Sequence, residues 1–162
     1  MGKSSFYKRV SKYNPRFRNE QGHYLPEEWC CFSGIGQEFA GRRLHLDEYL
    51  AVERRYVQAA RLFFAGSVQV ALESVEVHWA GELDEALAAV YRQVEHGVRS
   101  FPVAALDALV QLALREALWY RLVDDTRTRA LEFGYDFYLL LGFEVPDPEC
   151  FRQIEYLPLF VE

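Results

Sequence analysis

The sequence predicts an α+β fold, with about three main helices packed on a small, mostly antiparallel sheet that contains a C-terminal β-hairpin. Two patterns carry this prediction. Between Leu46 and Phe64 apolar residues recur three and four apart (Leu46, Tyr49, Leu50, Tyr56, Val57, Ala60, Phe63, Phe64), the period of one helix face. Between Leu131 and Leu141 they alternate strictly, the period of a strand with two unlike faces. A chain of 162 residues with 51% hydrophobic content can bury one sizeable core and is short for two, so a single domain over residues 1–162 is expected.

Taken in order, residues 1–12 are basic and read as a flexible N-terminal tail. The stretch to about Arg43 is rich in Gly, Pro and Asn and shows neither period, yet it carries Phe17, Tyr24, Leu25, Trp29, Phe32, Ile35 and Phe39. It is too apolar for disorder and is expected to pack as an irregular layer over the core. The helix from Leu46 has Asp47 and Glu48 in its first turn, Arg61 in its last, and Gly66 placed to end it. Val75, Val77 and Trp79 alternate with Glu76 and His78 as a short strand. A second helix follows from about Leu83, with the stripe Leu87, Val90, Tyr91, Val94 and Val98. Ser100 as N-cap and Pro102 in the first turn predict a third helix running to about Leu118. Trp119–Val123 and Leu131–Leu141 then flank the turn signal Asp124-Asp125-Thr126. A short helix is predicted near Glu149, and Leu157–Val161 as an edge segment, because Pro158 bars a central strand.

The net charge of −6 is unevenly spread. Residues 1–19 hold six of the 18 Lys and Arg and no acid, which leaves 12 basic against 24 acidic residues in the remainder. Such a body repels nucleic acid and membrane surfaces and attracts basic partners. No run of about 18 apolar residues occurs, and the N-terminus lacks the apolar region of a secretory signal, so a cytoplasmic location is expected. Phe6 stands where a myristoylation motif needs Ser or Thr. Cys30, Cys31 and Cys150 form no disulfide framework and read as reduced thiols. With neighbouring cysteines pointing apart and His23, His45, His78 and His96 scattered, no metal is expected.

Catalytic templates find no match: there is no glycine-rich phosphate loop, no G-x-S-x-G elbow and no H-E-x-x-H, so no cofactor is expected. Glu53 is the exception on the first helix. It lies on the apolar stripe between Leu50 and Val57, where an unpaired charge is costly, and is expected to be a buried structural carboxylate bonded to the N-terminal layer. Removing it should cost about 1–3 kcal/mol. Two alternatives stand beside a protein-binding role. One is a small hydrolase or transferase using Glu53 with Asp136 and a histidine in one open pocket. The other is a nucleic-acid adaptor using an extended, exposed basic N-terminus.

Several segments resemble bacterial immunity proteins of contact-dependent growth inhibition systems. They are Tyr13-Asn14-Pro15-Arg16-Phe17-Arg18-Asn19-Glu20-Gln21-Gly22, Glu28-Trp29, Phe32-Ser33-Gly34-Ile35-Gly36, Leu44 to Tyr56, Phe133-Gly134-Tyr135-Asp136-Phe137-Tyr138 and the ending Leu159-Phe160-Val161-Glu162. Where such proteins carry Thr or Ser before the D/E-E-Y-L stretch, this chain has His45, a weaker helix cap. The resemblance implies a protein without enzymatic activity that stays in the cytosol and binds a cognate toxin C-terminal domain, often a nuclease, by covering its active site or substrate groove. A phosphate-binding groove is positive, so its inhibitor should present carboxylates. The candidates are Glu82, Asp84 and Glu85 at the start of the second helix and Asp124 and Asp125 at the hairpin turn, because element ends project side chains freely.

Overall fold

The computed structural model describes residues 5–162. Its elements in chain order are β1 (Phe6–Ser11), β2 (Glu38–Phe39), β3 (Arg42–Arg43), α1 (Leu46–Phe63), β4 (Gln69–Val77), α2 (Glu85–Glu95) and β5 (Ser100–Pro102). There follow α3 (Leu106–Leu114), β6 (Leu118–Asp124), β7 (Arg129–Gly134), β8 (Tyr138–Phe143), α4 (Pro148–Glu155) and β9 (Phe160–Val161). Seven strands form one sheet in the order β5-β4-β6-β7-β8-β1-β9, and β2 and β3 make a small separate hairpin. Every neighbouring pair in the large sheet is antiparallel. This is the expected α+β architecture, with four helices in place of three.

The helices follow their sequence signals. α1 buries Tyr49, Glu53, Tyr56, Val57, Ala59, Ala60 and Phe63 on one stripe. α2 is capped by Asp84, whose side chain accepts from the Leu87 N–H at 2.9 Å. α3 is apolar nearly all round and packs against both α1 and α2, so it lies at the centre of the helical layer. Alternation assigns the sheet faces. Leu118, Tyr120 and Leu122 of β6, Leu131 and Phe133 of β7, and Leu139, Leu141 and Phe143 of β8 are buried in one continuous apolar cluster with the helices.

The opposite face of the sheet shelters itself with its own long side chains. Gly134 faces Tyr138 across β7 and β8, and Gly142 faces Tyr7 across β8 and β1. A Cβ on Gly134 would lie 2.0 Å from the Tyr138 ring, and one on Gly142 would lie 2.8 Å from that of Tyr7. Both rings occupy the space a side chain on the glycine would need, a close cross-strand pairing that a residue without a side chain permits. Arg121 is held on this face by Glu73 at 2.7 Å and Glu132 at 3.2 Å.

Five expectations need correction. The flexible tail expected over residues 1–12 is ordered from Phe6: β1 sits between β8 and β9, and Val10 is fully buried. Two of its cations are engaged internally, while Lys8 faces solvent. Arg9 and Arg18 share the Glu162 carboxylate, and Lys12 binds Glu28 at 2.9 Å with its ammonium 4.2 Å from the Tyr13 and Trp29 rings. Lys3 lies outside the described residues. Ser100 does not cap a helix; Ser100–Pro102 pairs with Gln69–Ala71 as an edge strand, where a proline without N–H is tolerated. α3 therefore starts at Leu106 and ends at Leu114, before the expected limit. The Leu131–Leu141 segment is two strands joined by Tyr135-Asp136-Phe137, with Phe137 in the left-handed region at φ +59°. A three-residue loop keeps odd-numbered residues on the core face of both strands, so alternation alone runs straight through the turn. Finally, β4 stops at Val77 and leaves Trp79 beyond it, and Phe17 and Leu25 of the N-terminal layer are exposed.

Candidate functional site: an aromatic and acidic rim

The residues singled out in the sequence fall into three settings. Glu53 is 1% exposed, as expected for a structural carboxylate. Its partners are not in the N-terminal layer. Arg115, just past α3, donates from Nε at 2.8 Å and Nη2 at 2.7 Å, and Gln111 donates from Nε2 at 3.1 Å. The bidentate fork ties α1 to α3, and donating these hydrogen bonds to Glu53 holds the Arg115 guanidinium above its usual range. The cleft that Asp136 lines is bounded by Arg9, Tyr13, Arg18, His23 and Tyr24 and does not reach Glu53. The geometry required of a Glu53–Asp136 pair is therefore not met. Of the basic N-terminus that the adaptor reading required to be extended and exposed, residues 6–11 are extended as β1 and Lys8 and Arg16 face solvent, but Val10, Ser11 and Tyr13 are buried and Arg9, Lys12 and Arg18 are ion-paired.

Asp124 is the second setting, and here the expectation of a freely projecting carboxylate is overturned. It is 5% exposed and accepts from the backbone N–H groups of Thr128 at 2.8 Å and Arg129 at 3.0 Å, and from the Thr126 and Thr128 hydroxyls. Its charge folds the hairpin turn around itself, as a side chain that mimics a backbone acceptor does. Asp125 beside it is exposed.

Glu82, Asp84 and Glu85 form the third setting, and all three are exposed. They follow the end of β4, which pairs with the start of β6 (Val77 with Leu118), whereas Asp125 follows the end of β6. Six strand steps, about 20 Å, separate the two groups. The two predicted clusters thus look out from opposite ends of the sheet.

The end that carries Glu82, Asp84 and Glu85 also carries aromatic side chains that the sequence reading had placed inside strands. Trp79 is 87% exposed and Tyr135 is 85% exposed. The Tyr135 ring stacks on that of Trp119 at 5.0 Å with 15° between planes. Trp79 is fixed at this end because the His78 N–H donates to Ala117 O at 3.0 Å. Glu116 and Asp136 add two exposed carboxylates, and among the described residues neither forms an ion pair. The Cys31 thiol pairs with the Ser33 hydroxyl at 3.1 Å, and Cys30 and Cys31 line a recess with Glu116, Trp119 and Tyr135; burial pushes the Cys30 thiol up.

Four tyrosine hydroxyls hold the backbone of this rim. Tyr13 donates to Trp29 O at 3.3 Å, Tyr49 to Leu114 O at 3.5 Å, Tyr56 to Phe137 O at 2.8 Å, and Tyr91 to His78 O. Tyr56 also accepts the Lys12 N–H at 2.8 Å. Burial pushes the Tyr13, Tyr49 and Tyr56 phenols well above their usual range, so they remain donors at neutral pH. The loops are thereby fixed by the fold itself.

Trp79 gave no sequence signal, since its alternation with Val75 and Val77 is what a buried strand residue shows. For Tyr135 the signal was Gly134 followed by Asp136, a turn pair inside an alternating run. Among the described residues no three His, Cys, Asp or Glu side chains gather as a metal-binding group, and no helix is long and apolar enough to cross a membrane. No family model matches this chain, and no curated protein and no solved structure matches it.

Proposed function

We propose that this chain is an immunity protein that binds a cognate toxin domain, a nuclease of the contact-dependent growth inhibition type, and neutralises it by covering its active site or substrate groove. The observation that carries the reading is the rim, where exposed Trp79 and Tyr135 stand among Glu82, Asp84, Glu85, Glu116 and Asp136. Large rigid rings supply contact area at small entropy cost. The carboxylates of Glu82, Glu85, Glu116 and Asp136, which form no ion pair among the described residues, complement a groove built to hold phosphates. The rim binds without chemistry: a tight complex denies the toxin its substrate.

The experiment is co-expression. The open reading frame immediately upstream is expressed with and without this protein and growth is scored. Rescue of growth by the protein supports the reading, and absence of toxicity or of rescue refutes it. With the purified toxin domain, reversing Glu82 and Glu85 to Lys, which spares the α2 cap at Asp84, should slow association about tenfold at low salt and flatten its salt dependence. Asp125→Lys, at the far end of the sheet, should leave both nearly unchanged.

A further inference from the structure

Glu116 stands where stability alone would not put it. α3 ends in a Schellman turn, with the Ala117 N–H donating to Leu112 O at 2.9 Å and the Glu116 N–H to Ala113 O at 3.0 Å. That turn needs one residue in the left-handed region, a place for glycine, and Glu116 fills it at φ +62°. Its negative charge also sits at the negative end of the helix dipole. The side chain is exposed, so no burial offsets either penalty. Non-glycine residues held in the left-handed region cluster at ligand-binding and active sites; Arg127, also exposed at φ +58°, belongs to the tight β6–β7 turn and is ion-paired with Glu73, whereas Glu116 has no ion pair among the described residues.

What surrounds Glu116 specifies the ligand. It lines one recess with Trp119, Gly134 and Tyr135, and the two rings stack nearly parallel. The adjoining cation, Arg115, is engaged by Glu53. A carboxylate beside stacked ring faces suits a flat cation that can lie on a ring and fork onto the acid. A guanidinium does both, whereas an ammonium has no plane and is more strongly hydrated. We propose that Glu116, with the Trp119–Tyr135 stack, is the receptor for an arginine side chain presented by the protein partner. This rests on the reading of the chain as a toxin-binding protein, and it names the chemistry that the rim selects.

The test compares the wild type with Glu116→Gly and Glu116→Gln by thermal unfolding, by binding of hexa-arginine and hexa-lysine peptides followed through tryptophan fluorescence, and by neutralisation of the upstream-encoded toxin. Glu116→Gly should unfold at a higher temperature than the wild type while binding hexa-arginine about tenfold more weakly. Glu116→Gln, which keeps the left-handed strain, should lose the same affinity with a smaller gain in stability. Hexa-lysine should bind the wild type more weakly than hexa-arginine does. Unchanged hexa-arginine binding in the glycine variant, or equal binding of the two peptides, overturns the proposal. If the wild type neutralises no toxin while hexa-arginine binding still depends on Glu116, the immunity reading falls and the receptor stands. If Glu116→Gly neutralises the toxin as tightly as the wild type, the receptor falls and the immunity reading stands.

Discussion

At one end of the seven-stranded sheet Asp124 is enclosed by the turn it organises, and Arg129 bridges Asp147 and the Phe63 carbonyl at the end of α1. At the other end Glu82, Glu85, Glu116 and Asp136 face solvent beside Trp79 and Tyr135. Both ends are acidic in sequence, and the same residue type does opposite work. A carboxylate surrounded by its own turn's N–H groups stabilises the fold and has nothing left to offer a partner. A carboxylate without a donor retains its field and costs the fold little to change. Glu53 extends the contrast to the interior, where a charge is tolerated because Arg115 and Gln111 answer it completely.

Alkali should produce the largest effect and should act first at the rim. The folded pKa values of Tyr13, Tyr49 and Tyr56 are raised by burial, so their contribution is fully present below the unfolded value of about 10 and is lost as pH rises above it. Circular dichroism and phenolate absorbance between about pH 8 and 12 should show these phenols ionising together with unfolding. A fold that stays intact while they titrate would contradict their role as carbonyl donors.

Glu53→Ala should cost about 3–5 kcal/mol in denaturant unfolding, because it strands Arg115 in a half-buried position, which is more than the sequence alone suggested. A loss under 1 kcal/mol would mean that Arg115 turns to solvent freely. Asp124→Ala should cost about 2–3 kcal/mol, since two backbone N–H groups and two hydroxyls lose their acceptor. By contrast, Glu82→Lys and Asp125→Lys should each shift stability by no more than about 0.5 kcal/mol. A large loss at either would show that the rim or the turn tip is a structural element, and the contrast between the two ends would fail.

Local patterns made much of the fold legible. The 3.6 period of residues 46–64, the apolar stripe of α2, the turn at Asp124–Thr126 and the proline-limited C-terminal edge all act over neighbouring residues, where sterics and hydrogen bonding are decided within a few positions. The burial of Glu53 was legible for the same reason, since its helical neighbours are apolar. Other features depended on residues remote in the chain. β1 became an interior strand because β8 and β9 close on both its edges, their residues Leu139 and Val161 lying 129 and 151 positions from Val10 in the chain.

 In register, Val10 stands opposite Leu139 on one side and Val161 on the other, and no local pattern in residues 1–12 announces either partner. Asp124 and Glu82 look alike in sequence, as acids at element ends, and separate only when the β6–β7 turn closes over one and leaves the other in solvent. Which rings are exposed was likewise settled by the three-residue turn at Tyr135–Phe137 and by the end of β4 at Val77, because alternation assigns a face to each residue without saying where the sheet stops. The sequence by itself therefore determined the local elements and the acidic character of the body. Tertiary structure decided which of its charges are answered, because a partner for a buried or exposed group comes from whatever the fold brings beside it.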